Sequence, residues 1–441
     1  MKDGITRRRT GSAARGVPFA ASPLAGALSP EERAVIRKAA IRLVPFLCLL
    51  YFVAFLDRVN IGFAALTMRR DIGLSASAYG FAAGIFFIGY FIFELPSNLL
   101  LERFGARRWI ARIMVSWGLV SIGTPFVRGP ASFYTLRLLL GVAEAGFFPG
   151  IVLYLTRWFP GPARAAMVGW FILANPLTSV LGAPISTALL QTQIAGLAGW
   201  QTMFIVEGLP AVILGLVVPF WISDSPRQAR WLAPSERETL QAALDREVPA
   251  GVARGLRAGL ASPRVWLYAA IYFGLNLGVY GFGFWAPQML KTLGGFTLTQ
   301  TGLVTVVPYA CAALTLVLWG RHSDASGERI GHLALPALVG AAAFAIGAAT
   351  SHVAPAIACF TLGAMGIYAG LPVFWTLPAA RLADTAAAGG IALINSIGTL
   401  AGFVGPVLIG SLEQATGGYQ AGLIAVAVSL AAAGVLGLAA G

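Results

Sequence analysis

The spacing of charged side chains along this chain predicts a series of membrane-spanning helices. Long stretches contain no Asp, Glu, Lys or Arg, among them residues 165–206, 265–290, 292–320, 330–380 and 385–412. A spanning helix needs about 20 mostly apolar residues, so the stretch from 330 to 380 holds two of them. The pattern predicts twelve spans, at residues 43–65, 79–100, 109–127, 132–156, 165–188, 201–222, 265–289, 299–320, 332–350, 355–378, 388–411 and 419–440.

The fold class and the orientation follow from this pattern. Backbone amides in hydrocarbon must be satisfied within their own segment, so we expect an all-α integral membrane protein. Twelve spans place both termini on one side. Lys and Arg number 25 in the N-terminal tail, the even-numbered loops and the first turn of the third span, against 4 in the odd-numbered loops. This asymmetry predicts that both termini and the central loop are cytoplasmic.

Composition excludes a soluble domain. Of 441 residues, 57% are hydrophobic and 11% charged, whereas an ordinary soluble domain has about 25% charged residues. The mean hydropathy is +0.77. The net charge of +13 is explained by loop topology and by attraction to anionic membrane lipid, so we do not expect nucleic acid as a partner.

Four regions are predicted. Residues 1–42 form a cytoplasmic basic tail followed by a short amphipathic helix, for which Ser29 is the expected N-cap. Residues 43–222 and 265–441 each form a bundle of six helices, and residues 223–264 form the cytoplasmic central loop between them.

A short loop motif occurs once in each half, after the second and the eighth span. Each copy reads acid-x-x-Gly-x-Arg, and all three matching positions are 222 residues apart. Glycine permits a left-handed backbone turn, and the acid and the arginine can pair with each other or with a helix end. The six residues are Glu102, Gly105 and Arg107 in the first copy and Asp324, Gly327 and Arg329 in the second.

The span number, the division into six and six, and this repeated loop resemble the major facilitator superfamily. Three further motifs resemble its anion:cation symporter family, which includes bacterial permeases for tartrate, phthalate, sugar acids and aromatic acids. They are "DRVNIGFA" at 57–64, "GYFIFELPSNLLLERFGARRWI" at 89–110 and "LRLLLGVAEAGFFPG" at 136–150. The chain departs from the family pattern at Asn98, where glycine is usual, and at Glu102, where aspartate is usual.

Charged residues within the predicted spans are candidate functional groups, because their burial in lipid is costly. Adjacent helical residues are about 100° apart, so Asp57 and Arg58 point in different directions. We expect Arg58 to face a central cavity and bind a substrate carboxylate, with Arg137 as a second substrate contact. Asp57, turned to a neighbouring helix, and Glu144 are the candidate proton-coupling pair, and the resemblance implies the same role. The alternative is a structural ion-pair network that joins the first and fourth spans. For Glu94 and Glu207 we favour a structural role.

The second half offers polar and aromatic groups for the opposite wall of the cavity, because carriers of this kind bind substrate between their repeats. These candidates are Asn276, Tyr280, Trp375, Thr376 and Asn395, with Tyr90 of the second span as a further contact. For each of them, helix packing or an interhelical hydrogen bond is the alternative.

The sequence therefore predicts a secondary transporter of a bacterial inner membrane. It imports a small organic anion, such as an aromatic acid, a tartrate-like dicarboxylate or a sugar acid, by proton symport through alternating access. A proton-coupled exporter of drugs or metabolites is the alternative, and sodium coupling stays open. An enzyme has little support because no nucleophile with a matching base is present. We expect a monomer with no cofactor and no metal.

Overall fold

The computed structural model describes residues 28–246, 260–382 and 384–440. The basic tail before residue 28 and residues 247–259 of the central loop lie outside the described residues. The helices are α1 (Pro30–Asp71), α2 (Ala76–Phe104), α3 (Ala106–Ile122), α4 (Pro130–Glu144), α5 (Phe147–Thr156), α6 (Gly161–Leu189), α7 (Gly199–Trp221), α8 (Pro234–Asp245), α9 (Pro263–Gly294), α10 (Leu298–Ser326), α11 (Ile330–Ala349), α12 (Val353–Arg381), α13 (Asp384–Thr416) and α14 (Gln420–Ala439). We refer to α1–α7 as the first half and to α9–α14 as the second half.

The predicted all-helical membrane fold is confirmed. Eleven segments of the described chain are long and apolar enough to cross a membrane, with α4 and α5 counted as one segment. The remaining predicted span, 109–127, corresponds to α3, which has 17 residues and packs against α4 and α7. Its predicted end is five residues too late, because Gly123 and the short turn Thr124–Phe126 follow Ile122. A helix of this length measures about 26 Å.

Helix α1 is longer than the sequence predicts. Ser29 is its N-cap, as expected, and the Ser29 hydroxyl accepts a hydrogen bond from the Glu32 backbone at 3.1 Å. The expected short amphipathic helix is not a separate element, because α1 continues for 42 residues. No glycine occurs between residues 30 and 61, and Pro45 is accommodated within the helix.

The described part of the central loop docks on the first half. Lys38 of α1 donates to both carboxylate oxygens of Glu236 of α8, at 2.8 and 2.7 Å. The guanidinium of Arg42 lies between the rings of Trp221 and Trp231, 5.0 and 5.1 Å from their centroids. Helix α8 is therefore attached to α1, and Arg42 of α1 also contacts both Trp231, just before α8, and Trp221 at the end of α7.

The fourth predicted span is broken in the middle. Residues 132–156 were expected to form one helix, but α4 ends at Glu144 and α5 begins at Phe147. Pro149 cannot donate a backbone hydrogen bond, and its ring would clash with the carbonyl four residues earlier in a continuous helix. Gly146 makes the break possible, since its φ of +83° is a conformation that glycine adopts without strain.

The two halves meet closely at one end of the bundle, which we call the first-loop face because it carries the connection between α1 and α2. The Ser77 backbone donates to the Gln414 side chain at 3.0 Å, and the Tyr79 hydroxyl donates to the Phe284 carbonyl at 3.0 Å. A side chain at Gly84 would lie only 2.8 Å from a backbone oxygen of α13. These contacts close the bundle at the first-loop face.

Both copies of the repeated loop motif turn at a glycine with positive φ, as predicted. Gly105 has a φ of +85° and Gly327 a φ of +70°. In the second copy Arg329 pairs with Asp324 at 2.7 Å, so the expected pairing of acid and arginine is confirmed there.

The first copy is held differently. The backbone N–H of Arg107 donates at 2.8 Å to Asp224, which follows α7. Among the described residues Glu102 has no ion-pair partner. A side chain at Gly105 would lie 2.8 Å from the Asp224 carboxylate, so this turn requires glycine for space as well as for conformation.

Helix α11 begins with a side-chain cap. The Glu328 carboxylate accepts hydrogen bonds from the backbone N–H groups of Gly331 at 2.6 Å and His332 at 3.0 Å. The same carboxylate contacts the His332 ring at 2.5 Å. Hydrogen bonds from Gly331 and from the His332 side chain lower the pKa of Glu328.

Candidate functional site

The neighbours Asp57 and Arg58 point to different surroundings, as helix geometry predicts. Asp57 is buried and turns towards α3, where it accepts a hydrogen bond from the Ser121 hydroxyl. Its second partner is the Asn60 amide, at 3.2 Å. Arg58 turns to the other side and forms an ion pair with Glu144 at the end of α4. The two residues of this dipeptide thus have separate partners, neutral hydrogen-bond donors for Asp57 and a carboxylate for Arg58.

Aromatic rings surround the Arg58 guanidinium. Its central carbon lies 5 to 6 Å from four ring centroids, those of Phe55 at 5.9 Å, Phe86 at 5.2 Å, Phe87 at 5.9 Å and Tyr90 at 5.3 Å. Such contacts stabilise a cation by about 0.5–2 kcal/mol each, depending on desolvation. The Arg58 side chain is 10% exposed. This arrangement holds a permanent positive charge at the edge of an apolar, aromatic space.

The charged form of Glu144 depends on Arg58 for stabilisation, because of where Glu144 lies in α4. It is the last residue of α4, and the C-terminal end of a helix carries partial negative charge that disfavours a carboxylate. The Glu144 side chain is 1% exposed. Among the described residues its Oε2 has no hydrogen-bond partner. Arg58 therefore supplies most of the compensation for a charged Glu144.

Close packing of α2 against α4 brings Glu144 to Arg58. A side chain at Gly141 would lie 2.9 Å from the carbonyl carbon of Phe86 and 3.0 Å from the backbone nitrogen of Tyr90. Glycine at this position therefore permits the close approach of α2 and α4.

Arg137 lies behind Phe86 and away from the aromatic space. Its guanidinium is 5.1 Å from the Phe86 ring centroid, on which Arg58 also packs, and its Nε donates to the Ala82 carbonyl at 3.3 Å. Arg137 is 1% exposed, and neither of its Nη atoms has a hydrogen-bond partner among the described residues. It acts electrostatically on Asp57 and Glu144, but in this state it does not face the cavity that the substrate prediction requires.

Two contacts join the halves on either side of Tyr90. One is between the rings of Phe87 and Tyr280, with centroids 4.5 Å apart. Tyr280 belongs to the π-helical turn Gly278–Phe282 within α9, a feature that often marks functional positions in helices. The other is a hydrogen bond of 3.0 Å from the Asn395 amide to Glu94. Tyr90 and Arg58 thus lie in the space between these contacts.

The remaining candidates of the second half differ in what they contact: an aromatic ring, a neighbouring helix or the backbone of their own helix. Trp375 packs edge-on against Tyr272 with centroids 4.8 Å apart. Asn276 is buried beside α13, where a side chain at Gly398 would lie 2.9 Å from its amide nitrogen. The Thr376 hydroxyl donates to the carbonyl three residues earlier in its own helix, at 2.7 Å, and is thereby occupied in this state.

Sequence reasoning missed several residues of this region. The Tyr368 hydroxyl donates to Asn175 at 3.3 Å and links α12 to α6. The Tyr51 ring stacks on Phe171 with centroids 4.2 Å apart. Asn175 gave a signal, since it is a polar residue in the middle of a span, but the aromatic residues cannot be distinguished from ordinary core residues by sequence.

Glu207 lies near Asn60 and Asp57. Its Oε1 accepts a hydrogen bond from the Ser186 hydroxyl at 2.6 Å, which joins α7 to α6. This contact agrees with the structural interpretation of Glu207. Within the described ranges, no group of three or more His, Cys, Asp or Glu side chains is arranged to hold a metal ion.

Comparison with known proteins identifies the family. Residues 47–406 match the Major Facilitator Superfamily. A protein of Agrobacterium vitis named "Putative tartrate transporter" is 50% identical over 413 residues, which cover 93% of this chain and 95% of the relative. A "Quinolone resistance transporter" of Acinetobacter baumannii is 41% identical over 397 residues, which cover 89% of this chain and 91% of the relative.

Solved structures show the same fold. The crystal structure of a bacterial homologue of the human lysosomal transporter Spinster superposes with a TM-score of 0.74 at 16% identity, and the match covers 94% of this chain and 97% of that one. The resemblance predicted from the sequence motifs is confirmed. This chain is a multi-pass membrane transporter and belongs to the Major Facilitator Superfamily.

Proposed function

We propose that this transporter imports a small organic anion together with protons, by alternating access between its two halves. The observation that carries the proposal is the ion pair of Arg58 and Glu144, held among aromatic rings between the halves. Arginine binds carboxylates through two parallel hydrogen bonds and keeps its charge at every physiological pH. An incoming carboxylate therefore competes with Glu144 for one guanidinium.

This competition provides the coupling. When the substrate carboxylate takes Arg58, Glu144 loses its counter-ion in a dry site, where its charged form is strongly disfavoured. Glu144 then binds a proton, so the loaded carrier holds one proton with the anion. Release of the anion to the cytoplasm returns Arg58 to Glu144, and the proton leaves.

Asp57 and Arg137 complete the charge balance. Asp57 is held by Ser121 and Asn60, and Arg137 is buried near both carboxylates without an ion pair of its own among the described residues. We assign Asp57 the role of a second proton-coupling group. Since Arg137 lies behind Phe86, it contacts substrate only if this ring moves. In the state closed at the first-loop face, it acts through the two carboxylates.

The second half supplies the opposite wall of the substrate site. Tyr280 and Asn395 meet α2 on either side of Tyr90, and Trp375, Asn276 and Thr376 lie on the same half. An aromatic surface with a few hydrogen-bonding groups suits a small organic acid. The relative named for tartrate favours a hydroxylated dicarboxylate, while the rings around Arg58 also suit an aromatic acid.

The repeated loops are proposed to control the opening of the bundle at the end opposite the first-loop face. Each loop turns at a glycine of positive φ, and each has a carboxylate contact, to Asp224 in the first copy and to Asp324 in the second. Both contacts lie within a single half, so we propose that they keep each loop in its turned conformation while one half rocks against the other.

The cellular setting follows from the charge asymmetry of the loops. We propose a monomer in a bacterial inner membrane, with both termini and the central loop in the cytoplasm and basic loop residues near anionic lipid. The first-loop face then faces away from the cytoplasm.

The test is gradient-driven uptake. Purified protein in liposomes should accumulate labelled L-tartrate, or another acid of the proposed classes, when the outside is made acidic. Uptake should stop when the pH gradient is collapsed, and Arg58→Ala should remove it. Uptake that follows a sodium gradient instead would contradict proton coupling.

Export is the second candidate, because a relative named for quinolone resistance is 41% identical to this chain. An exporter of cationic drugs would be expected to have acids without a paired arginine in its cavity, whereas Arg58 lies beside Glu144 here. Cells that express the protein distinguish the two. Lower quinolone accumulation, without uptake of any organic acid, would support export.

A further inference from the structure

A cavity lies on the first-loop face, outside the region described above. Its volume is about 360 Å³, and α1 and α9 form most of its wall, with Tyr419 beside them. It is separated from Arg58 by the contacts that close the bundle at this face. A cavity of this size matches the lower end of the range for small-molecule sites.

Positive charge is concentrated around this cavity. The helix ends and loops of the first-loop face carry four basic residues among the described ranges, and three of them line the cavity, namely Arg69, Arg70 and Lys291. The fourth, Arg128, does not line the cavity. Two acids lie nearby. Glu413 is 4.0 Å from Arg69, and Asp71 is 3.9 Å from Arg70 and accepts a hydrogen bond from Trp200 at 3.0 Å, which leaves Lys291 as the cation without an acid beside it among the described residues. The cavity wall therefore carries an excess of positive charge.

One buried donor in the wall has no partner. Gln288 is 5% exposed, and its Oε1 accepts a hydrogen bond from Arg69 at 2.8 Å. Its Nε2 has no hydrogen-bond partner among the described residues. A buried amide donor without a partner is costly. A carboxylate in the cavity would satisfy it while it pairs with the cations.

We propose that this cavity is a second anion-binding site, a vestibule that takes a small organic carboxylate before it reaches Arg58. The guanidinium of Arg69, the ammonium of Lys291 and the Gln288 amide supply the donors. A concave site with charges of one sign raises the local concentration of the oppositely charged ligand. The proposal rests on the proposed function for the class of ligand and for Arg58 as the next site, but it does not depend on proton coupling.

The proposed vestibule includes a contact that helps to close the bundle at the first-loop face. Arg69 belongs to α1, and it is held by Gln288 of α9 and packs 5.5 Å from the Trp285 ring centroid. A bound carboxylate competes with Gln288 and Glu413 for this guanidinium. Its arrival therefore weakens a contact that joins the halves at the first-loop face.

The test uses L-tartrate as the probe and saturation-transfer NMR on the purified full-length protein, because this method detects weak binding. Arg58→Ala removes the proposed central site and should retain tartrate binding. Adding Lys291→Gln to this variant should weaken the remaining binding about tenfold or more. Adding Arg128→Gln, which removes a charge from the same face outside the cavity, should leave it unchanged. The remaining binding should also weaken between low and high salt.

Two results would contradict the proposal that this cavity is a vestibule. One is the absence of tartrate binding to the Arg58→Ala protein, and the other is an equal effect of Lys291→Gln and Arg128→Gln. Failure of the proposed function gives a different pattern, in which the wild-type protein transports no acid but the Lys291-dependent binding persists. Lys291 forms no hydrogen bond or ion pair with another described residue, so loss of binding in Lys291→Gln would not arise from a broken contact.

Discussion

Replacing Glu144 by glutamine removes the carboxylate that holds Arg58 and keeps a side chain of nearly the same size. In the wild-type protein an anion must displace Glu144 before it can bind Arg58. We therefore expect Glu144→Gln to bind organic anions more tightly than the wild type. It should also lose the part of the pH dependence of binding that comes from this position, so that only the part contributed by Asp57 remains.

The magnitude follows from the burial of the pair, in which Arg58 is 10% and Glu144 1% exposed. Two unit charges about 4 Å apart attract by about 4 kcal/mol at an effective dielectric constant of about 20. Glutamine still accepts a hydrogen bond from the guanidinium, and this bond retains roughly half of the attraction. The rest, about 2 kcal/mol, strengthens anion binding by on the order of 30-fold in Kd.

Two measurements check this expectation. Calorimetric titration of the purified variants with the transported acid gives Kd at pH 6 and pH 8. Proteoliposomes show whether Glu144→Gln loses gradient-driven accumulation while it still exchanges labelled for unlabelled acid. The anion-free variant should also melt at a lower temperature than the wild type, since breaking a buried pair costs roughly 3–5 kcal/mol, and added acid should restore part of the difference.

The matched variant is Arg58→Ala, which should bind no anion at the central site. Robust accumulation by Glu144→Gln would refute its coupling role. Equal weakening of anion binding in Glu144→Gln and Arg58→Ala would refute the competition, because Glu144 would then assist binding instead of opposing it.

Three further predictions concern the fold. Gly141→Val should lower the melting temperature and the transport rate, since overpacking costs about 1–3 kcal/mol, whereas Gly169→Val, with open space around it, should change neither. Gly105→Ala should reduce the yield of folded protein more than Gly327→Asn does, because only Gly105 has a carboxylate against it; equal yields would contradict this. Hydrogen bonds from the Gly331 N–H and from His332 lower the pKa of Glu328, so its contribution to stability is present above about pH 4.3, the ordinary glutamate pKa, and is lost as the pH falls through the lower pKa of the folded protein. Glu328→Gln should therefore lower the melting temperature at pH 7 and have less effect towards pH 3; a constant difference would contradict this.

The helices were predictable because lipid imposes a simple rule on sequence. Each spanning segment is apolar for about 20 residues, so the twelve positions followed from the spacing of charged residues. The break after Glu144 was missed because Gly146 and Pro149 are small and apolar and do not interrupt a hydrophobic segment. The extension of α1 was missed because the end of an amphipathic segment was mistaken for the end of a helix.

The site was predictable where the sequence is locally constrained. The divergence of Asp57 and Arg58 follows from the 100° helical step, and the close approach at Gly141 follows from its small size. Pairing between distant segments was predictable only in outline. The sequence allowed an ion-pair network between the first and fourth spans, but it did not indicate that Arg58 and Glu144 form it or that Phe86 lies between Arg58 and Arg137, because these contacts depend on how α2 packs against α1 and α4.

The most direct test of the central claim is proton movement caused by an organic acid. Purified protein is placed in liposomes that contain a trapped pH dye, and aromatic, sugar-derived and small dicarboxylic acids are added one at a time, with Arg58→Ala as the control. We predict that one class of acid causes internal acidification with the wild type and none with Arg58→Ala. If no acid moves protons although the folded protein is present, proton symport is contradicted, and the coupling roles of Asp57 and Glu144 are withdrawn.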